Sequence, residues 1–339
     1  MTRLVLSLSL LCLLTRALPA QHLQLPTANH ALFDAPSEFF QFVDRDFEGS
    51  KTTPWEGGQF GFVRDPRRIG SRIAYARFHE GLDIKPLQRD ARGNPQDTVC
   101  AIADGAVVYV AAASGLSNYG RYIFVQHNFG GSPYFSLYAH LASAQVSAGQ
   151  KVQAGAPLGV LGYTGSGIDQ RRAHVHVELN LFLSSRFEAW HNASFNTPNH
   201  HGVYNGLNLI GLDLQSLYLA QRKNPSYSVA SAVQSTESSY RVAVPGDAEM
   251  EILKNYPWLL DGPRPVGRPA AWEVTFSRWG LPLAVKASAT PVSAPVVTWI
   301  KDTGIPHYTH TRGCVTGSGP TGKLTTEGLR FVKLVCGWF

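Results

Sequence analysis

Between residues 98 and 181 the chain runs as a series of short apolar stretches cut by glycine-bearing turns, and this confines the fold more than any other feature. Thr98–Ile102, Ala106–Ala111, Tyr122–Gln126, Phe135–Tyr138, Val160–Gly162 and Val175–Leu181 are too short for ordinary helices and have the length of buried strands. Asp104-Gly105 marks a tight turn, and Gly149, Gly155 and Gly159 fall where adjacent strands require the chain to double back. Strands at this spacing imply a mainly β fold, either a sandwich or an antiparallel sheet curled into a partly open barrel.

At 339 residues the chain can hold two folded units. Residues 21–65 are polar, aromatic and broken by Pro and Gly. They read as an N-terminal arm with one short helix around Ser37–Val43 and a strand near Gly58–Val63. Residues 66–190 hold the strand series. The run from Arg186 to Gly202, rich in Asn, His and Pro, reads as a linker or site loop. Residues 191–339 then read as a smaller mixed or mainly β C-terminal domain. It would hold helices at Leu212–Lys223, started by Asp213, and at Ala248–Asn255. Its strands are expected at Tyr240–Val244, Trp272–Phe276, Leu283–Lys286, Val296–Ile300 and Leu329–Cys336, with Trp258, Trp272, Trp279 and Trp299 in the core.

Arg3, the apolar run Leu4–Leu14 and the small residues before Gln21 make residues 1–20 a signal peptide. Cys12 follows Leu10-Leu11 rather than a small residue, so a lipid anchor is not expected, and no other apolar run has membrane length. No stable membrane anchor is therefore expected, and the mature protein is placed in the periplasm or outside the cell. Without Arg3 and Arg16 the formal charge falls from +6 to +4, with no clustered basic stripe, which argues against nucleic acid as a partner. In an oxidising compartment Cys314 and Cys336 are the natural disulfide pair, leaving Cys100 as a buried, inert thiol.

The chemistry gathers on histidines. In an extended Ala173–Leu179 run, His174 and His176 share one face while Val175 and Val177 pack on the other. His79 and Asp83 stand four apart around Gly81, which disfavours a helix and lets them converge from an irregular segment. His79, Asp83 and His176 together suit zinc, and three protein ligands leave the fourth position open. His174, displaced along its strand, and His140, at the end of another, are candidates for proton transfer beside the metal. Glu80 and Glu178 flank ligands and are candidates to orient imidazoles. His127 reads as a structural hydrogen-bonding group, and His191, His200 and His201 as surface loop residues.

The succession His79-Glu80-Gly81-Leu82-Asp83, Asp104-Gly105-Ala106-Val107, Tyr138-Ala139-His140-Leu141, the glycine ladder and His174-Val175-His176-Val177-Glu178 resembles the lysostaphin-type zinc endopeptidases, peptidase family M23, over residues 75–183. The resemblance implies one zinc ion per chain on His79, Asp83 and His176, with His140 and His174 as the catalytic histidines. It also implies a substrate class, the stem peptides or cross-bridges of peptidoglycan. The chain departs from the family where Ile168–Ala173 replaces a small glycine-containing turn, which places Arg171 and Arg172 at the mouth. A non-catalytic relative that binds cell wall or activates another hydrolase is the alternative. A lipoyl- or biotinyl-carrier barrel would need a modifiable lysine at a hairpin tip, and none has suitable neighbours. Some relatives are latent because an upstream side chain fills the open metal position, a role open here to Asn29 or His30.

Overall fold

The computed structural model describes residues 22–339, so the expected signal peptide and Cys12 lie outside the described residues. The architecture is mainly β, and its sheets are antiparallel and open rather than closed into a barrel. The central sheet runs in the order Lys151–Val152, Gly105–Ala111, Tyr122–Phe129, Ser132–Ala139, Val175–Phe182, Leu209–Gly211, and Leu82–Ile84 pairs with the first residues of Val175–Phe182. Along that strand Val175, Val177, Leu179 and Leu181 enter the hydrophobic core. The alternate residues His176, Glu178 and Asn180 line a groove on the opposite face. A small sheet of Ser143–Ala144, Pro157–Val160 and Thr98–Cys100 carries the glycine ladder.

The arm is built into this unit. Leu23, Leu32, Phe39 and Phe40 are fully or nearly fully buried. Phe40 bridges Ile84, and the amides of Gln41 and Lys85 bond to Asp83 O and Phe39 O at 2.8 and 2.9 Å. The arm is thus an edge partner for the segment bearing Asp83. It leads into a long two-stranded hairpin, Gly61–Ile69 with Arg72–His79, that ends with His79 opposite Gly61.

Beyond the central sheet, Pro282–Ser288, Ala271–Phe276, Tyr240–Pro245 and Val296–Ile300 form a four-stranded antiparallel sheet in that order. Its flank clamps the hairpin. Trp279 stacks on Phe78 and donates Nε1–H to Gly211 O at 2.9 Å, while Arg312 lies over the Phe78 ring and pairs with Glu80 at 2.5 Å. Leu209–Gly211, beyond residue 190, supplies the edge of the central sheet, so the sheet continues past the boundary expected there. No helix among the described residues is long and apolar enough to cross a membrane.

Three expectations are corrected. Leu329–Cys336 belongs to a helix, Thr326–Cys336, because Thr325 caps its start by accepting from the Gly328 amide and Gly337, at φ 64°, closes its end. Its buried residues Gly328, Val332, Val335 and Cys336 recur at helical spacing, a pattern that the β-branched residues mask. Cys314 and Cys336 are both free. Cys314 packs against the start of that helix so tightly that a Cβ on Gly328 would lie 1.9 Å from its carbonyl oxygen. Cys336 sits more than two turns further along, roughly 12 Å by helical rise, beyond the reach of a disulfide. Trp299 is 37% exposed, beneath the Arg241 guanidinium, rather than in the core.

The helix begun by Asp213 is present as Leu214–Lys223, whereas only Ile252–Asn255 of the second expected helix forms.

Candidate metal centre

Strand register brings the site residues together. His176 stands opposite Asp83 on one side and Ala139 on the other, so Asp83 and His140 arrive at His176 from its two neighbours. His174 bridges Gly162 at the same end, and His79 comes in from the hairpin. Gly81 makes the approach feasible: a Cβ there would lie 2.4 Å from Val177 O and 2.9 Å from His176 Nε2. His79, Asp83 and His176 are all buried.

Their donor atoms converge. His79 Nε2 lies 3.0 Å from Asp83 Oδ1 and 3.1 Å from His176 Nδ1, which is itself 2.9 Å from Asp83 Oδ1. Ligands around tetrahedral zinc stand ~3.3 Å apart, given Zn–N and Zn–O bonds near 2.0–2.1 Å, so the triangle is slightly tight but of the right size. Hydrogen bonding on the far side of each ring orients it. His79 Nδ1 is 2.7 Å from Gln59 O, which only accepts, so Nδ1 carries the proton and Nε2 keeps its lone pair. Glu178 Oε1 lies 2.8 Å from His176 Nε2 and leaves Nδ1 as the inward lone pair. In these tautomers three acceptors face one another, an arrangement that a shared proton or a bound cation relieves. Burial pulls the His176 pKa down, but Asp83 and Glu178 on either side outweigh it and hold it at about 10. Burial pushes the Asp83 carboxyl up, yet His174, His79 and Arg64 hold it well below the ordinary range. A divalent metal would replace the proton on this cluster.

His140 and His174 stand beside the triangle with ring centroids 4.8 Å apart. His140 Nδ1 donates to Thr164 O at 2.8 Å and His174 Nδ1 to Arg172 O at 2.6 Å, so both present Nε2 to the site. His174 Nε2 comes within 3.3 Å of Asp83 Oδ1, closer than a two-residue displacement along a strand suggests. His140 has a left-handed backbone, φ 62°, which costs a non-glycine residue about 1–3 kcal/mol. Its amide is held by Tyr119 O at 2.9 Å. Burial, reinforced by the neighbouring His174 and His176, pulls its pKa well below the ordinary histidine range, so the ring is neutral at pH 7.

The residues open onto a groove of about 1230 Å³ whose walls include Arg45 and Arg64 from the first hundred residues, Tyr119, Arg172, and Tyr308 and Arg312 from the last part of the chain. Of the flanking carboxylates, Glu178 touches a site ring and Glu80 instead pairs with Arg312. Arg171 pairs at 2.6 Å with Asp44, a residue of the groove wall.

Two groups near the site escape sequence reasoning. Tyr119, in a Ser- and Gly-rich loop, donates to Glu178 Oε1 at 2.7 Å, and Arg64 reaches Asp83 Oδ2 at 2.5 Å. His127 is buried between Asp104 O and Ser136 Oγ, both at 2.7 Å. His191 and His201 are buried rather than on the surface, and His201 bonds Tyr109 and Leu116 O at the groove wall, while His200 is exposed. Asn29 is engaged away from His79, Asp83 and His176. Its side chain brackets a turn, donating to Glu38 O and Lys85 O and accepting from Ala31 N, and the neighbouring His30 is exposed.

Residues 77–186 match the profile of Peptidase family M23. A 77-residue stretch is 38% identical to the Murein hydrolase activator NlpD of Escherichia coli, covering 23% of this chain and 19% of that protein. A 111-residue stretch is 32% identical to the Lipoprotein NlpD/LppB homolog of Pseudomonas aeruginosa, covering 33% and 32%. The chain spans about a fifth of the length of the murein hydrolase activators it matches. Among solved structures, the catalytic domain of the antimicrobial peptidase lysostaphin from Staphylococcus simulans is 27% identical, over 36% of this chain and 75% of that one, with a TM-score of 0.25.

Proposed function

We propose that this chain, whose residues 77–186 form a peptidase M23 domain, is a zinc endopeptidase that hydrolyses peptide bonds in peptidoglycan stem peptides or cross-bridges, in the periplasm or outside the cell. The observation that carries the reading is the triangle of inward acceptors on His79, Asp83 and His176 with two imidazoles beside it that both present Nε2. A binding protein has no need of that combination.

His79 Nε2, Asp83 Oδ1 and His176 Nδ1 would hold the ion. Zinc, when bound, supplies Lewis acidity toward water and the scissile carbonyl. The groove receives the peptide in extended form across the open side of the triangle. His140, kept neutral by burial, accepts a proton at Nε2, and the Thr164 carbonyl on Nδ1 steadies the imidazolium that results. His174, held in the same way by Arg172 O, presents Nε2 to the substrate oxygen and, once protonated there, donates Nε2–H to the negative charge that develops on it, while His140 returns the proton it took from water to the leaving amine.

Zinc analysis of the purified chain from residue 21 onward, combined with digestion of defined muropeptides and mass analysis of the fragments, tests this. His140→Ala and His174→Ala should each retain zinc and lose hydrolysis by at least a hundredfold. Hydrolysis at the parental rate in both, with zinc bound, overturns the assignment. A second reading is favoured by the name of the Escherichia coli relative: a chain that binds no stoichiometric zinc, cuts nothing, and accelerates another wall hydrolase is an activator.

A further inference from the structure

The Asp83 carboxylate has two different oxygens. Oδ1 faces His79, His174 and His176 at 2.9–3.3 Å, while Oδ2 turns outward to Arg64. Arg64 comes from the hairpin strand Gly61–Ile69, outside the stretch that matches the family profile. Its guanidinium is fixed at two points, Nε–H donating to Gly57 O at 2.7 Å and Nη2–H to Asp83 Oδ2 at 2.5 Å. The first anchor is itself rigid. Gly57 lies in the short turn Trp55–Gly58 and packs so closely on Val43 that a Cβ there would meet Val43 Cγ2 at 2.1 Å. A planar fork held at one nitrogen has little freedom left at the others, which distinguishes this contact from a surface ion pair.

A carboxylate can offer a metal one oxygen or both, and which it does is decided by what holds the second oxygen. We propose that Arg64 is a positioning residue of the metal centre: anchored on the Gly57 carbonyl, it occupies Asp83 Oδ2 so that Oδ1 alone is presented to the ion. The centre is then completed by the segment 55–64, which supplies both the Arg64 clamp on Asp83 and the Gln59 carbonyl on His79. This inference rests on the zinc reading above and adds a group to it.

The test uses the full mature chain, stripped of metal and titrated with Zn²⁺ against a chromophoric chelator and with Co²⁺ by visible absorption. Metal uptake by the parent chain tests the zinc reading itself, and the variants are compared with it. Arg64→Gln is expected to weaken zinc binding by roughly 10–100-fold, the usual cost of losing an orienting partner of a ligand. It is also expected to weaken the cobalt absorption, as the released carboxylate binds through both oxygens and raises the coordination number. Arg64→Lys retains a charge but cannot bond Gly57 O and Asp83 Oδ2 with one fixed fork, and is expected to lose at least threefold with the same spectral change. Circular dichroism identifies the variants that fold. Parental affinity and an unchanged cobalt spectrum in either folded variant overturn the proposal, and Arg64→Lys decides it if Arg64→Gln does not fold.

Discussion

Glu178 Oε1 sits 2.8 Å from His176 Nε2 and thereby selects the nitrogen of that ring that faces Asp83. Tyr119 braces the same oxygen from the far side, and burial together with the Glu178 charge pushes the phenol pKa well above its ordinary value, so it remains a donor. Glu178→Ala should lower zinc affinity by roughly 10–100-fold while the chain stays folded. Glu178→Gln, which keeps a carbonyl acceptor, should lose less. Competition against a chelator measures both, and an unaffected Glu178→Ala would show that His176 is oriented by other contacts.

Gly81→Ala places a methyl group 2.4 Å from Val177 O and forces the His79–Asp83 turn away from the strand bearing His176. A cost of about 1–3 kcal/mol in stability and a loss of metal affinity are expected together. Gly115, with nothing within 4 Å of its added Cβ, is the control, and Gly115→Ala should leave both unchanged. Thermal melts with and without zinc separate the two positions.

His127 gives the stability of the fold an acid dependence unrelated to the metal ligands. Burial lowers its pKa from 6.5 to about 4, against a smaller opposing contribution from Asp104. Between those values the unfolded chain binds a proton that the folded chain refuses, so this contribution is fully present above pH 6.5 and is lost as pH falls toward 4. From pH 7 to pH 5 the loss is roughly 2 kcal/mol, at 1.36 kcal/mol per pH unit. Denaturant titrations should show a shallower pH dependence in His127→Gln than in the parent, and equal slopes would refute the assignment.

The arm stabilises the fold rather than blocking the site. Deleting residues 22–60 removes the buried Leu23, Leu32, Phe39 and Phe40 and the bridge from Phe40 to Ile84. Loss of soluble, folded protein is expected, with no rise in hydrolysis. Phe40→Ala alone should cost about 3–5 kcal/mol. A stable, more active truncated chain would restore the latency reading.

The meeting of His79, Asp83 and His176 was legible because each carries its chemistry in its own side chain. The strand alternation that puts His176 on one face and Val175 and Val177 on the other follows from period two alone. Of the groups that orient the rings, Glu178 was legible beside His176, but the others were not, since Gln59, Thr164 and Arg172 act through backbone carbonyls to which residue identity contributes nothing. Arg64 lies in a stretch expected to be an irregular arm, where an arginine carries no local signal. The last helix was hidden because Val332 and Val335 favour strands in isolation, whereas the Thr325 cap and Gly337 settle the matter only once tertiary packing buries one face. Cys314 and Cys336 are close in number, and helical rise separates them in space.

The candidate ligands span residues 79–176, but the clamp on the neighbours of the first of them is made from far away, Arg312 reaching back 232 positions to Glu80 and lying over Phe78 beside His79. A chain emerging from the N-terminus has all of its ligands available well before that clamp exists. The order of assembly therefore separates two events, gathering the ligands and stiffening them. The second waits until residue 312 has been made, so that a chain ending before Arg312 holds a looser version of the site than one that includes it.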